Sequence, residues 1–579
     1  AEETTSEDTI VDEAPKGEGD DLDALLDRAE QEAPSALGSG ADRYAEKQQA
    51  YPRFEHHGYF RFRAYLFYNG HLGTVRPGET LSGTSAFSAP LTENLANNTG
   101  NAFGNLSDPD DKSIGTANLR FRYQPTFHIA PTMRIKSTVD VLDNMVLGST
   151  PDFAPNLDRP DVPLVAFSGG QAPPSAGLNS FRDGIQVKEA YAEWQPAFLV
   201  RAGRMASDWG LGILANGGKD IDDDYGDYAD RVMVALKLLD TYVVGSYDFV
   251  SSGAISDDPT EIFGQPRDLG DADDVNQVIL SVFRRPLSAS EKSRRAVNLR
   301  EKLGSAFDWG VYAVYRQQEM DLSQGDYTTW LTQGGQEVYD QLELVPRTAE
   351  AFIPDLWLRY ENRFDYNSGL RVELEATGIF GKVDNVTDDT SVETNERVIQ
   401  QMGAALEIEY DRGGLSLGFD SGFASGDSAE GFGVEDRAIL DQPDGSPNRE
   451  VTNFKFDRNY HVDLMLFREV IGTVTNAIYA KPYVAYDFFD SREDALGIRL
   501  DLMYAQAMEA QATPGDDSLL GLEADVRLFY EEKDRFNLDL EAGFLMPGPA
   551  FDLIDTVVGE RLKEAELGFT VQSRLSLQF

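Results

Sequence analysis

Apolar and polar side chains alternate along much of the chain from about His57 onward. In residues 370–377 the order is Leu, Arg, Val, Glu, Leu, Glu, Ala, Thr, so every second side chain is apolar. The same alternation recurs in residues 60–68, 119–129, 496–504 and 522–528. Successive side chains of a β-strand point to opposite faces, so this pattern predicts strands with one apolar and one polar face.

The lengths and connections of these segments favour a membrane barrel over a soluble sandwich. The candidate strands run about 9 to 14 residues, which is longer than most strands of soluble sheets and enough for a tilted strand to cross a bilayer. Short connections alternate with long ones, among them residues 70–113, 144–183, 206–230 and 425–474. This arrangement is typical of outer-membrane barrels, which have short periplasmic turns and long extracellular loops.

We therefore predict an all-β fold, a transmembrane antiparallel β-barrel of about 18 strands. Counting residues 460–467 as a strand gives 19, but a barrel whose two ends both lie in the periplasm needs an even number. Residues 460–467 are accordingly assigned to the long loop, with 16 and 20 strands as alternatives. One periplasmic connection, residues 285–303, is long and predicts either a helix or a solvated charged turn. Its basic residues are Lys292, Arg294, Arg295, Arg300 and Lys302.

The two ends of the chain differ from the rest. We predict that residues 1–52 form an acidic, mostly disordered periplasmic segment and that residues 53–579 form the barrel. Residues 1–50 contain 15 acidic and 4 basic side chains, a net charge of 4 − 15 = −11; a docking helix or a lumen plug is the alternative to a solvated tail. The last apolar face ends in Phe579, which resembles the C-terminal assembly signal of outer-membrane barrels.

Composition narrows the function further. The net charge of 51 − 99 = −48 argues against nucleic acid as a partner, because phosphate binding needs clustered basic residues. The absence of cysteine excludes disulfides and thiolate metal sites, and no apolar run is long enough to predict a transmembrane helix. The chain begins at Ala1 without a signal-peptide pattern, so we expect that a signal has been removed or that the chain starts here.

The predicted inward faces carry opposite charges on opposite sides of the barrel. The basic pore-lining candidates are Arg61, Arg63, Arg120, Arg122, Arg134, Lys136 and Arg201. The acidic pore-lining candidates are Glu373, Glu375, Glu407, Glu409, Asp420, Asp501, Glu523 and Asp525, followed by Asp539 and Glu541. Incompletely paired arcs would create a transverse field that selects among solutes. The alternative is that the charges pair inside a filled lumen. The loops of residues 70–113 and 144–183 are the candidates for a constriction.

A second candidate site is an acidic loop. Asp220, Asp222, Asp223, Asp224 and Asp227 lie close together in the sequence beside several glycines. Dense carboxylate oxygens suit Ca²⁺, although the spacing is not that of an EF-hand. We predict calcium binding in this extracellular loop, with a solvated acidic loop as the alternative, and we expect no other cofactor.

The sequence does not favour an enzyme. It has five histidines and no nucleophile elbow in a plausible context, no phosphate-binding loop and no HExxH motif. An outer-membrane hydrolase would need a Ser–His pair on the outer surface. His128 is expected to face the lumen instead, so we predict that the chain is not an enzyme.

Several motifs resemble an uncharacterised outer-membrane family of myxobacterial and related Gram-negative bacteria. The main ones are residues 201–216, RAGRMASDWGLGILAN, and residues 223–231, DDYGDYADR. Supporting pieces are GYFRFR at 58–63, FREVIGTVTN at 467–476 and GFLMPGPAF at 543–551. This resemblance covers most of the barrel and implies a porin-like barrel without an established activity. The strand-Gly-Arg-loop-Trp-Gly pattern is also similar, over shorter patches, to alginate-export porins, which implies 18 strands.

Together these features predict a porin-like channel of the bacterial outer membrane for passive or selective diffusion of small polar or charged solutes. The alternative is a plugged barrel that acts as a surface scaffold or adhesin through its long acidic loops. The expected partners are outer-membrane lipid and lipopolysaccharide, the barrel assembly machinery and small polar solutes. Analogy with porins allows a homo-oligomer.

Overall fold

The fold is that of a computed structural model, which describes residues 51–73, 112–147, 184–253, 271–287, 289–323, 343–385, 396–428, 450–490, 494–532, 535–554 and 561–579. Residues 1–50 lie outside this range. So do residues 74–111 and 148–183, which make up most of the two loops that the sequence predicts as candidates for a constriction. Neither expectation is therefore tested.

Eighteen long strands form the barrel. They are β1 (Arg53–Tyr68), β2 (Ser113–Ala130), β3 (Met133–Val146), β4 (Ile185–Trp194), β5 (Leu199–Ala206), β6 (Tyr228–Leu238), β7 (Thr241–Ser251), β8 (Val275–Arg284), β9 (Ser305–Leu322), β10 (Leu344–Asp365), β11 (Ser368–Asp384), β12 (Glu396–Arg412), β13 (Leu415–Ala424), β14 (Ala477–Asp490), β15 (Asp494–Ala507), β16 (Leu519–Glu532), β17 (Phe536–Pro547) and β18 (Gly568–Gln578). Each strand pairs antiparallel with the next.

The sheet closes between its first and last strands. β1 pairs antiparallel with β18 from Tyr59 opposite Gln578 to Tyr68 opposite Phe569. The prediction of a closed antiparallel barrel with 18 strands is therefore confirmed. Residues 460–467 lie in a loop with a π-helical turn at Leu466–Ile471, which agrees with their exclusion from the strand count. Of the described short strands, Glu450–Val451 adds two residues to the edge of β12, and Leu553–Ile554 pairs with Arg561–Lys563.

The outer surface of the barrel is apolar. On β15, for example, Ile498, Leu500, Leu502 and Tyr504 are 37–53% exposed, while the side chains between them point inward. This confirms the predicted alternation of apolar and polar faces. Such a continuous exposed apolar surface is stable in the hydrocarbon of a bilayer rather than in water.

The apolar surface has a clear boundary on the long-loop side. Tyr315, Phe352 and Phe380 are register partners on β9, β10 and β11, and all three are exposed. The next outward row towards the long loops is polar and consists of Gln317, Glu350 and Lys382. Phe307, exposed near the other end of β9, lies eight residues from Tyr315, about 26 Å along the strand. For a strand tilted by about 40°, this separation corresponds to a height of about 20 Å, somewhat less than the apolar band of about 25 Å in outer-membrane barrels.

Eight short-side connections join the strands at the opposite end, as predicted. Seven contain two to four residues, and the eighth, between β8 and β9, contains α1 (Ala289–Ala296) and a π-helical turn, Val297–Glu301. The helical alternative for this connection is therefore confirmed.

The described part of the chain contains no helix that is both long and apolar enough to cross a membrane.

Candidate functional site

Two long loops fold into the barrel and make its interior the candidate functional site. Loop A comprises residues 207–227, between β5 and β6, and loop B comprises residues 452–476, before β14. Both contact inward-facing charged side chains of the barrel wall, as described below. The sequence interpretation named both segments as long loops but did not predict that either one folds inward.

Arg61 on β1 and Arg120 on β2 bind the main chain of loop A. Arg61 Nη1 donates hydrogen bonds to the carbonyl oxygens of Ile221 at 2.7 Å and Asp223 at 3.0 Å. Arg120 Nη1 donates to the carbonyl oxygen of Asp223 at 2.6 Å. Both arginines are 0% exposed. A buried cation is tolerated only where dipoles or charges compensate it, and the loop carbonyls contribute this compensation.

Arg63 and Arg122 bind carboxylates in the same region. Arg63 pairs with Asp222 at 3.3 Å and with Asp224, and Arg122 donates to both oxygens of Asp140 on β3, at 2.7 and 2.8 Å. Burial alone would raise the pKa of Asp224, but Arg63 and Arg61 lower it to about 2. The acidic tip of loop A is thus held as an anion against the basic side of the wall.

A wall glutamate holds the other end of loop A. Glu375 Oε2, on β11, accepts hydrogen bonds from the main-chain N–H groups of residues 211–213. Gly210 precedes them with φ of +58°, and a Cβ there would lie 2.4 Å from Glu375 Oε2, so this approach requires glycine. Trp209 Nε1 donates to Asp355 on β10 at 2.7 Å. Loop A is therefore anchored to β10 and β11 as well as to β1 and β2.

These anchors lie on opposite sides of the barrel. In a ring of 18 strands, β1 and β10 are nine strands apart, which is half of the circumference. Loop A leaves the wall midway between them, at β5 and β6. Its residues 209–213 bind β10 and β11, and its residues 221–224 bind β1 and β2. Loop A therefore crosses the lumen from one wall to the other.

Loop B is held in the same way. Glu523, on β16, accepts hydrogen bonds from the main-chain N–H groups of residues 464–466 at 2.8–3.1 Å. Within the loop, Asp463 accepts the N–H groups of Phe467 at 2.8 Å and Arg468 at 3.0 Å. Glu375 and Glu523 thus each hold three consecutive loop amides, and each is buried.

The two loops meet at Asp222. Its carboxylate pairs with Arg468 of loop B at 2.8 Å, with Arg574 of β18 at 2.5 Å and with Arg63, and it lies 3.5 Å from His461 Nδ1. Burial alone would raise the pKa of Asp222, but Arg468, Arg574 and the hydrogen bond with His461 hold it well below the usual value. The charge of this carboxylate joins loop A, loop B and the wall.

Main-chain contacts reinforce this junction. Asn459 Oδ1 accepts hydrogen bonds from the N–H groups of Asp224 at 3.3 Å and Tyr225 at 3.1 Å. The N–H group of Asp457 donates to the carbonyl oxygen of Ile213 at 2.9 Å. Loops A and B therefore form one packed unit inside the barrel.

The remaining basic candidates also point inward and lie beside acidic groups. Arg134 and Arg201 share Glu193 on β4, at 2.9 and 3.3 Å. Lys136 lies on the same face of β3, in register with Tyr191. His128 faces the interior, as expected, and its Nε2 lies 2.9 Å from Glu55.

The remaining acidic candidates have partners on the same strand, on nearby strands or on loop B. Glu373 accepts a hydrogen bond from Trp357 Nε1 at 2.8 Å, Glu407 from the hydroxyl of Tyr460 at 3.2 Å, and Glu409 from the hydroxyl of Tyr483 at 2.6 Å. Asp420 pairs with Lys481 at 3.1 Å, Asp501 with Arg499 at 2.7 Å, and Asp539 with Arg574 at 2.8 Å. Glu541 lies 3.6 Å from Arg527, and Asp525 lies on the inward face beside Glu523. The predicted arcs face inward, but much of their charge is balanced locally; their role in selectivity stays a prediction.

The predicted calcium residues do not form a single carboxylate cage. Asp222 and Asp224 face arginines, Asp223 accepts the main-chain N–H of Asp220 at 2.8 Å, and Asp227 accepts that of Asn216 at 3.2 Å. Among the described residues, no three or more acidic, histidine or cysteine side chains are placed to hold a metal ion. Calcium binding by this loop stays a prediction.

Sequence reasoning missed Arg468 and Arg574, which complete the junction at Asp222. Two features of the sequence are consistent with such a junction, although neither identifies the residues that pair. The acidic run of loop A is complementary in charge to the predicted basic arc, and the motifs at residues 201–216, 223–231 and 467–476 coincide largely with the inward-folded loops. Their pairing spans about 250 residues of sequence, between Asp222 and Arg468, so no local pattern could reveal it.

No family model matches the sequence, and no curated protein matches it. The structure does match solved outer-membrane proteins of Pseudomonas. OccK8 (OprE) of Pseudomonas aeruginosa is 9% identical with a TM-score of 0.41, and a BenF-like porin from Pseudomonas fluorescens Pf-5 is 8% identical with a TM-score of 0.44. OpdK of Pseudomonas aeruginosa, in a structure with vanillate, is 11% identical with a TM-score of 0.42. Each alignment covers 91% of this chain and 98% of the other. These values assign no family, so both resemblances stated above stay predictions.

Glu523→Ala should loosen loop B selectively. It removes the oxygens that accept the N–H groups of residues 464–466, and a buried donor left without an acceptor costs about 1–3 kcal/mol. The rate of hydrogen exchange at residues 464–466 should rise by about 10- to 100-fold. Glu375→Ala is the matched control, because it removes the acceptor of residues 211–213 and should raise their exchange rate instead. If each variant raised the exchange rates of both loops equally, this would contradict the view that the two loops have separate anchors.

Docking of loop A should weaken at alkaline pH. Burial raises the pKa of Asp223 to about 8, and the nearby Asp220 adds to the rise. The docked loop keeps a proton that the released loop loses near pH 4. The stabilisation is therefore complete below about pH 4 and is lost as the pH rises through 8. Burial also raises the pKa of Asp457, in loop B, to about 7, in the same direction.

Hydrogen-exchange protection of loop A, corrected for the intrinsic chemical rate, should fall between pH 7 and 8, by at most about tenfold per pH unit for one proton, and should level off above pH 8. Burial lowers the pKa of His461, so this side chain is neutral throughout that range. Asp223→Asn, which mimics the protonated carboxyl, should flatten the fall. An unchanged slope in this variant would exclude Asp223 as the titrating group.

Proposed function

We propose that the chain is a channel of the bacterial outer membrane through which small polar or charged solutes diffuse. The observation that carries the proposal is the closed 18-strand barrel with an apolar exterior and a charged interior. A lumen of this width is not filled by the wall side chains alone. The charged inner faces favour polar solutes over apolar ones.

The distribution of exposure along the inner wall supports a water-filled entrance at the short-turn side. Towards that end, the side chains of Arg371, Arg499 and Arg527 are 28–41% exposed. Arg61 and Arg120, beneath loop A, are fully buried. The narrowest part of the proposed path therefore lies where loops A and B meet the wall.

Liposome swelling with sugars, amino acids and oligosaccharides of increasing size tests the proposal. We expect swelling with small polar solutes and a size limit, because the inward loops narrow the path. The matched control is liposomes with heat-denatured protein. No swelling with any solute, together with no conductance in planar bilayers, would contradict a channel.

A second candidate function is a plugged barrel that presents its long loops as a surface scaffold. The contacts that support it are the Asp222 junction and the two glutamate anchors, because they hold loops A and B across the lumen. In this alternative the charged inner wall serves to bind the plug. The two functions differ in whether ions pass the loop unit.

Asp222→Asn should distinguish them. Removing this charge leaves Arg468, Arg574 and Arg63 without their shared carboxylate. The cost should be about 2–3 kcal/mol, below the range for a fully buried pair because Asp222 is 23% exposed. For a channel narrowed by the loops we expect unitary conductance to rise at least about twofold, or open-channel fluctuations to appear.

Asp220→Asn is the matched control, because it removes an exposed carboxylate of the same loop outside the junction and should leave conductance unchanged. If the wild type and Asp222→Asn are both silent in bilayers while the barrel remains folded, the scaffold function is favoured. An identical rise in the two variants would show that net charge, rather than the junction, controls the current.

A further inference from the structure

The connection between β8 and β9 is a basic segment in an acidic protein. Residues 284–302 contain seven basic and two acidic side chains, a net charge of 7 − 2 = +5, whereas the whole chain carries −48. The other described short-side connections have two to four residues. This segment is therefore the longest connection at the short-turn side of the barrel.

One face of α1 is bound to the barrel. Glu291 accepts a hydrogen bond from the hydroxyl of Tyr242 at 3.0 Å and pairs with Lys237 at 2.8 Å. One turn later, Arg295 pairs with Asp308, and with Glu361 at 2.8 Å. These contacts fix the helix against the inner edge of β6 to β10.

The opposite face of the connection is exposed and basic. Ser293 and Arg294 on α1, and Arg300, Glu301 and Lys302 after it, are all exposed, so three of these four charged side chains are basic. Because the bound face fixes the helix, these cations are held at defined positions on the short-turn side. Oriented cations of this kind attract an acidic partner, and the attraction weakens with salt.

The chain enters β1 from the same side of the barrel. β1 begins at Arg53, which lies opposite His128, three residues before the turn at residues 131–132. The 52 residues before Arg53 carry a net charge of −11, and residues 12–32 alone hold nine acidic and two basic side chains. The start of β1, to which the acidic segment is joined, and the basic face therefore lie on the same side of the barrel, and the two sequences have opposite charges.

We propose that the acidic stretch of residues 12–32 docks on the exposed basic face of the β8–β9 connection. The partner is thus part of the same chain, and the interaction is electrostatic. It places an acidic segment beside the short-turn mouth of the barrel. The proposal does not depend on whether the barrel conducts solutes.

The distance permits this contact. Eighteen strands spaced by about 4.8 Å and tilted by about 40° form a ring about 36 Å in diameter. About 11 extended residues, at about 3.3 Å each, would span it. Residues 12–32 are separated from β1 by 20 residues, so they reach the connection from any point on the rim. Tethering gives an effective concentration on the order of millimolar, which makes weak electrostatic docking sufficient.

Because the protein contains no cysteine, single cysteines can be introduced without background. We would combine Ala24→Cys in the acidic stretch with Ser293→Cys on α1, and measure the rate of intramolecular crosslinking by a short bismaleimide. The control pair combines Ala24→Cys with Ala197→Cys. Ala197 is exposed in the β4–β5 turn and is fewer strands from β1 than α1 is. A tail without a preferred site would therefore react with Ala197→Cys at least as fast.

We expect the Ser293 pair to react at least fivefold faster than the Ala197 pair, and the excess to disappear in 0.5 M salt. Arg294→Glu, Arg300→Glu and Lys302→Glu together should abolish the preference while the Ala197 pair keeps its rate, which shows that the barrel is intact. Equal rates for the two pairs, or an excess that resists both salt and charge reversal, would overturn the proposal. The proposal would also be overturned if the Ser293 pair reacted faster than the Ala197 pair in detergent but not in vesicles with anionic phospholipid. Phospholipid headgroups would then be the partner of the basic face.

Discussion

Every backbone amide within the lipid needs a hydrogen-bonding partner from the protein, and the pairing of β1 with β18 meets this requirement for the sheet edges. The rest of the structure depends on this closure. In a closed sheet the alternate side chains have only two environments, lipid and lumen. The apolar set, such as Leu500 and Leu502, faces outward, and the charged set is therefore concentrated inside.

A charged interior has to be hydrated or paired, and in this protein loops A and B contribute many of the partners. The arrangement is reciprocal. Wall arginines bind carbonyl and carboxylate oxygens of loop A, while the wall carboxylates Glu375 and Glu523 bind loop amides. Removing one partner from such an interior costs more than the pair contributes, because the other charge remains desolvated. The fixed position of the loops is thus a consequence of the wall chemistry, with Asp222 joining both loops.

The sequence predicted the barrel well because the determinants are local. A period of two, segment length and alternating connection length identified the strand class, the number of strands and the inward position of residues such as Arg61 and Glu373. The helix at Ala289–Ala296 was one of two alternatives for a basic connection.

The inward folding of loops A and B could not be predicted in this way. It depends on contacts such as Asp222 with Arg574, which are distant in sequence and form only once the ring has closed. The acidic run of loop A was noticed, but carboxylates suit arginine and calcium alike, and only the fold brings the arginines close.

The span of loop A between β1–β2 and β10–β11 also has a mechanical consequence. A wide hollow cylinder flattens easily, because its cross-section can become elliptical without breaking any strand pairing. Loop A is anchored to opposite walls and therefore opposes any change in the length of the diameter that it spans. The barrel should therefore resist flattening that changes the distance between β1 and β10 more strongly than flattening along the two diagonals midway between that line and its perpendicular. Release of loop A from either wall would change both the stiffness of the barrel and the width of its lumen.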